Sequence, residues 1–186
     1  MGSARAVFLT GRPGIGKTTV LMKVVEALRR EGLKVGGMVS REVRERGVRV
    51  GFEIIDLATG QKGWLAHVRQ PEGPRLGKYR VNLKDLEEVG VRAIERAVEE
   101  ADVVVIDEVG PMELFSGRFV DAVRKALRSG KPVLGTIHMR ARGPLLDEIR
   151  HGGLAEVITV NLQNRDSLHE LVLAKLREVL GKREGA

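Results

Sequence analysis

The chain has 186 residues, 42% of them hydrophobic and 31% charged, with a formal net charge of +7, the profile of one domain with a full core and a charge-rich surface. It contains no cysteine, which excludes disulfides, thiolate catalysis and cysteine-based zinc sites. No apolar run reaches the roughly 20 residues that span a bilayer, and Val7-Phe8-Leu9 is too short for the core of a secretory signal, so a cytoplasmic protein is expected.

Residues 5–10 predict a short apolar strand that runs from the N-terminal residues into a glycine-rich turn. From Thr18 to Arg30 the apolar positions Val20, Leu21, Val24, Val25 and Leu28 form a helical stripe, and Gly32 is its natural stop. Val35–Val43, Val48–Leu57 and Lys62–Val68 read as strands. Glu45-Arg46-Gly47 and Ala58-Thr59-Gly60-Gln61 are hairpin turns between them, so an antiparallel meander is inserted after the first helix. Pro71, Gly73, Pro74 and Gly77 mark residues 69–78 as loop.

A helix is expected over residues 83–100, with Val91, Ile94 and Val98 inward, then an apolar strand over 102–107. Phe119, Val120, Val123 and Leu127 mark a helix closed by Gly130, and Val133–Ile137 a buried strand. Pro144 opens a short helix, and Val157–Val160 is the last strand. The final helix carries Leu168, Leu171, Val172, Leu176 and Val179, with Ser167 and Glu170 spaced as a capping box, and residues 181–186 read as a polar tail. Strands alternating with helices, apolar on both faces, predict an α/β domain with a mostly parallel sheet covered on both sides. One domain is expected over 1–186, with its core over about 5–180.

The strongest local signal is Gly11-Arg12-Pro13-Gly14-Ile15-Gly16-Lys17-Thr18, a full G-x-x-x-x-G-K-[ST] phosphate loop between a strand and a helix. Triphosphate oxygens need several donors converging on a small volume. Backbone N–H groups supply them only if the chain wraps tightly, which glycine permits. The helix that follows aims its positive end at the anion. Lys17 is placed to reach the β- and γ-phosphates, and the Thr18 hydroxyl to bind magnesium.

A second acid site is expected at the end of Val103-Val104-Val105-Ile106-Asp107-Glu108. Ligands gather at the carboxyl ends of strands in open α/β sheets, so Asp107 is assigned to magnesium. Glu108 beside it is the candidate to polarise the attacking water, against a bland reading in which it only orients a loop. Gly110 either lets the backbone pass close to the phosphates or simply makes a turn.

Other candidates carry weaker signals. Thr136 and His138 end a core strand, where a polar group either senses the γ-phosphate or bonds backbone. Arg12, Arg140, Arg142 and Arg150 compete for the arginine that phosphoryl transfer favours. Asn161, Asn164 and Arg165 follow the last strand, near the base by analogy of fold, and Asn164 equally suits a helix N-cap. Trp64 either stacks on a base or covers core. His67, His151 and His169 lack metal-ligand spacing and read as surface residues.

Residues 11–19, Gly77-Lys78-Tyr79-Arg80-Val81, Ile106-Asp107-Glu108-Val109-Gly110-Pro111-Met112-Glu113-Leu114 and Asn164-Arg165-Asp166 together resemble the archaeal and thermophilic bacterial nucleoside-triphosphatases related to a human cancer-related NTPase. The likeness extends over roughly residues 5–180. It implies a three-layer, RecA-like phosphate-loop fold with an inserted antiparallel hairpin, and hydrolysis of several nucleoside triphosphates, ATP and GTP among them. It also implies a nucleotide site built from Gly11, Arg12, Pro13, Gly14, Ile15, Gly16, Lys17 and Thr18 with Val103, Val104, Val105, Ile106, Asp107, Glu108, Val109 and Gly110.

The leading expectation is therefore a magnesium-dependent nucleoside-triphosphatase, with Lys17 and Glu108 catalytic and Thr18 and Asp107 on the metal. A phosphate-loop kinase acting on a small molecule or nucleic acid is the enzymatic alternative. A nucleotide-dependent switch that binds RNA or a partner through its basic face is the non-enzymatic one. Aromatic residues are only 3% of the chain, which leaves few platforms for stacking a nucleic-acid strand.

Overall fold

The protein is described by a computed structural model over residues 4–185, the side chains of residues 183 and 184 excepted. β1 (Ala6–Thr10) leads through the glycine loop into α1 (Lys17–Arg30). The meander follows as β2 (Val35–Glu45), β3 (Val48–Asp56) and β4 (Lys62–His67), then two short strands, β5 (Arg75–Leu76) and β6 (Tyr79–Val81). The next segment is helical in three pieces: α2 (Leu83–Asp85), a wide π stretch (Leu86–Val91) and α3 (Arg92–Glu100). β7 (Val103–Val109), a 3-10 turn (Glu113–Phe115), α4 (Gly117–Arg128), β8 (Val133–Ile137), α5 (Pro144–His151), β9 (Ala155–Thr159) and α6 (Leu168–Glu184) complete the chain.

All nine strands form one sheet in the order β5-β6-β4-β3-β2-β7-β8-β1-β9. The β2-β7-β8-β1-β9 half is parallel and the β5-β6-β4-β3 half antiparallel. β2 belongs to both, parallel to β7 and antiparallel to β3. Alternation along β7 splits the core. Val104 and Ile106 face Ile94, Phe119, Val123 and Leu146 on one side of the sheet. Val103 and Val105 face Leu21, Val24, Leu28 and Leu176 on the other. Each such fully buried side chain contributes roughly 1.5–3 kcal/mol, and the result is the expected helix–sheet–helix sandwich.

Several details depart from the sequence reading. The loop over 69–78 holds the two-residue strand β5, because the positive φ of Gly77 (59°) folds it back on β6. β7 runs on to Val109 rather than stopping at Asp107. The Ser167 hydroxyl does not cap α6. Ser167 ends a run of turns, and its backbone carbonyl accepts the Glu170 N–H instead. The polar tail is helical as far as Glu184, and Ala186 and residues 1–3 lie outside the described residues. His67 is buried, its Nδ1 accepting the Arg69 N–H and its ring edge-on to Trp64 at 4.7 Å. Among the described residues no helix is long and apolar enough to cross a membrane.

Candidate active site

The glycine loop sits where β1 ends and α1 begins. Ile15 is buried and pins the loop from below, and its N–H is bonded to the Arg12 carbonyl at 3.1 Å. Gly11 has φ 145°, and a Cβ there would lie 2.7 Å from the Val160 carbonyl. Gly16 caps α1 in a left-handed conformation (φ 114°), with no side-chain cap and no acidic residue in the first turn. The leading N–H groups of α1 thus meet no protein carboxylate that would compete with an anion. Lys17 Nζ folds over the loop to the Gly11 carbonyl at 2.9 Å.

Asp107 stands at the carboxyl end of β7, whose sheet neighbour is β8 rather than β1. The intervening strand contributes Thr136, whose hydroxyl donates to Asp107 Oδ1 at 2.6 Å. Thr18 Oγ1 donates to Asp107 Oδ2 at 3.0 Å. One carboxylate thus ties together α1, β7 and β8. Asp107 is 3% exposed, and burial pushes its carboxyl up to about 6. The Thr136 bond opposes that rise, the Glu108 charge adds to it, and Thr18 and Lys17 oppose it. Burial likewise raises Glu108, with Lys17 in opposition. The Asp107–Glu108 peptide bond is cis.

A third carboxylate, Glu113, is 2% exposed. The turn that bonds the Leu114 N–H to the Gly110 carbonyl directs it inward. Burial, and next the charge of Glu108, hold it well above the usual carboxylate range. A Cβ on Gly110 would lie 2.9 Å from Glu108 Oε1 and 3.0 Å from Glu113 Oε2, so the glycine makes room for the two carboxylates. Sequence reasoning gave Glu113 no role of its own. Its signal was a lone acid between Met112 and Leu114.

Pro13, Gly14, Gly16, Lys17, Thr18, Asp107 and Glu108 all line one cavity of about 600 Å³. Glu113 and His138 join them, as do Ser40, Arg41, Glu42, Arg49 and Phe52 of the meander, Leu76, Pro111 and Met112. From sequence Arg41, Glu42 and Arg49 read as charges of a solvated hairpin tip, and Ser40 and Phe52 gave no signal; the structure turns all five to the cavity, because which meander residues meet the loop depends on strand register. Gly11 and Ile15 support the loop from behind, and Arg12 is exposed outside the cavity. Val103, Val104, Val105, Ile106 and Val109 are buried in the sheet and do not line it. Gly110 shapes the floor without lining it.

The weaker candidates separate. Thr136 bonds the Asp107 carboxylate rather than backbone. His138 lines the cavity, with its Nδ1 accepting the Arg140 N–H and its basicity lowered first by burial and then by Lys17. Arg150 clamps the segment after β8 through the Ala141 and His138 carbonyls at 2.8 and 3.2 Å. Arg140 and Arg142 are exposed and lie outside the cavity. Asn161 and Asn164 close their own loop. Asn164 Oδ1 accepts the Asn161 N–H, and Asn161 Oδ1 accepts those of Gln163 and Asn164. Trp64 lies on β4, away from the cavity.

The donors available to a cation are the Thr18 hydroxyl and the Asp107 carboxylate, hard oxygens that suit magnesium when phosphate oxygens and water fill the remaining positions. Among the described residues no group of three or more His, Cys, Asp or Glu is arranged around a metal, so phosphate would have to share the ion.

Comparison with known proteins bears on this geometry. The profile of a family described as NTPase matches residues 6–173. The nucleoside-triphosphatase THEP1 of Thermofilum pendens is 58% identical over 167 residues, covering 89% of this chain and 92% of its own. That of Methanosarcina acetivorans is 49% identical, with 94% and 98% covered. The crystal structure of THEP1 from Aquifex aeolicus superposes with a TM-score of 0.80 at 36% identity, covering 92% of this chain and 98% of that one. The solution structure of a human cancer-related nucleoside triphosphatase gives 0.79 at 38% identity, covering 94% and 98%.

Proposed function

The chain belongs to the NTPase family and is a nucleoside-triphosphatase, and from that premise we propose that it hydrolyses ATP, GTP and other nucleoside triphosphates with magnesium, using Lys17 and Glu108 as its catalytic side chains. The observation that carries the reading is the Thr18–Asp107 hydrogen bond at 3.0 Å. It joins the phosphate loop to the acid strand across an intervening strand, so that Lys17, Thr18, Asp107 and Glu108 open on one cavity.

In this reading the amides of residues 14–18 and Lys17 Nζ surround the β- and γ-phosphates, leaving the bound anion aligned with α1. Thr18 and Asp107 would hold magnesium, which neutralises charge building on the transferred group. Glu108, raised by burial and facing Lys17, orients a water and accepts its proton as the new bond forms. Thr136 keeps the Asp107 carboxylate turned toward Thr18. The side-chain oxygens of Asn161 and Asn164 and the Asn164 Nδ2 are engaged by their own loop, which leaves neither residue a free donor–acceptor pair for a base. Weak discrimination among bases is the consequence.

The sheet shared by both halves of the chain supports a single domain, and the lack of cysteine fits a reducing compartment such as the cytoplasm. The test is phosphate release from ATP, GTP, CTP and UTP with magnesium or with a chelator. Comparable release from all four, lost on chelation, is expected. Release that is indifferent to chelation would remove the metal from the mechanism.

A further inference from the structure

The cavity continues beyond the space a γ-phosphate needs. β2 pairs with β7 only through Val35–Met38 yet runs on to Glu45. Its outer half, with β3, therefore overhangs the carboxyl end of β7, where Asp107 and Glu108 lie. This overhang forms the far wall, and water hydrolysis does not require it.

The wall carries two arginines held in place by protein. Arg41 Nε donates to Glu53 at 2.8 Å. Arg49 Nε donates to Tyr79 Oη at 2.8 Å, and its Nη1 to Glu42 at 3.5 Å. Arg49 also lies over the rings of Phe52 and Tyr79, at 5.2 and 5.7 Å. Tyr79 belongs to the Gly-Lys-Tyr segment singled out in the sequence, and this is its visible task. These bonds fix each guanidinium but leave Nη2 of both arginines without a partner among the described residues. A fixed guanidinium with open donors suits a phosphate monoester. The half-buried Phe52 ring carries the Arg49 guanidinium over it, and this flat pair borders the cavity where a planar group would stack.

Three carboxylates, Glu42, Glu108 and Glu113, line the same cavity. They disfavour a second phosphate next to the γ-phosphate and favour an uncharged acceptor atom there. An acceptor that satisfies the whole wall has a phosphate for the arginines, a ring for Phe52 and a hydroxyl for Glu108. We propose that this half of the cavity is a second-substrate site for a nucleoside monophosphate, and that one of its sugar hydroxyls takes the γ-phosphoryl group in place of water. The step rests on the roles given above to Lys17 and Glu108. A bond forms between the hydroxyl oxygen and the γ-phosphorus. The bond from that phosphorus to the bridging oxygen breaks, and its electron pair leaves with the nucleoside diphosphate. The hydroxyl proton passes to Glu108. The products are a nucleoside bisphosphate and a nucleoside diphosphate.

The experiment uses the full chain with magnesium and GTP labelled in its γ-phosphoryl group, with and without millimolar AMP, the products being separated by chromatography. Labelled adenosine bisphosphate is the expected product. Arg41→Ala, at an exposed position, should raise the half-saturating AMP concentration by about tenfold. It should leave the melting temperature within about two degrees, and the AMP-independent phosphate release within about twofold, of wild type. Label found only in inorganic phosphate overturns the proposal. Label in ADP, which would make the phosphate the acceptor, overturns it too, and so does transfer that is indifferent to Arg41→Ala. Phosphate release without AMP reports separately on the hydrolase reading, so either can fail alone.

Discussion

Burial holds the Asp107 carboxyl at about 6 against an ordinary 3.8. Because the folded value is the raised one, the protein is unpenalised below about pH 4, loses stability as pH rises toward 6, and carries the full penalty above it. That rise corresponds to roughly 3 kcal/mol. Asp107→Asn is therefore expected to raise the melting temperature of the nucleotide-free protein at pH 8, to leave it unchanged near pH 4, and to abolish magnesium-dependent turnover. Melts across that range check the sign, and a variant less stable than wild type at pH 8 would contradict it. Glu108→Gln is expected to lower kcat by about 10²–10⁴-fold while nucleotide affinity by calorimetry changes little. Retained turnover would remove Glu108 from the mechanism.

Among the elements, β2 is the most constrained, since it serves two kinds of pairing. Where it meets β7, Gly37 has φ 121°, and a Cβ there would lie 2.0 Å from the Val105 carbonyl. Gly37→Ala should cost more than about 2 kcal/mol by combining a disfavoured conformation with a backbone clash, measurable by urea unfolding. The phosphate loop was legible in sequence because strand, loop and helix are contiguous, and every residue in the motif answers to a local need. Asp107 was legible for the same reason, as the acid ending an apolar run. Thr136 was legible as a polar strand end, but its bond to Asp107 was not, because that partner became its neighbour only when β8 came between β1 and β7. Glu113 and the meander wall were hidden further. Glu113 is turned inward by a 3-10 turn that periodicity does not register, and Arg41, Arg49 and Phe52 meet the loop through the register of an antiparallel ribbon.

The whole molecule couples its fold to its ligand, since residues of the phosphate loop, of β7 and the segment after β8, and of the β2–β3 ribbon surround one cavity. Anything that binds only the folded site stabilises it by mass action, by about 2.7 kcal/mol at a hundredfold excess over Kd. A non-hydrolysable triphosphate with magnesium should accordingly raise the melting temperature by several degrees, and EDTA should remove most of that gain. A shift equal with and without the chelator would show that the phosphate loop binds without the metal pair Thr18–Asp107.

The position of β1 bears on how the chain is made. It precedes the other eight strands in sequence, yet among the described residues it pairs only with β8 and β9, whose last paired residue is Thr159. Through most of synthesis the nucleotide loop is thus tethered to a strand with both edges bare, while the β2–β3–β4 meander can already close on itself. Nascent chains halted before residue 155 should hold a formed ribbon but no nucleotide grip. Nucleotide binding is expected only once β8 and β9 have both arrived to enclose β1.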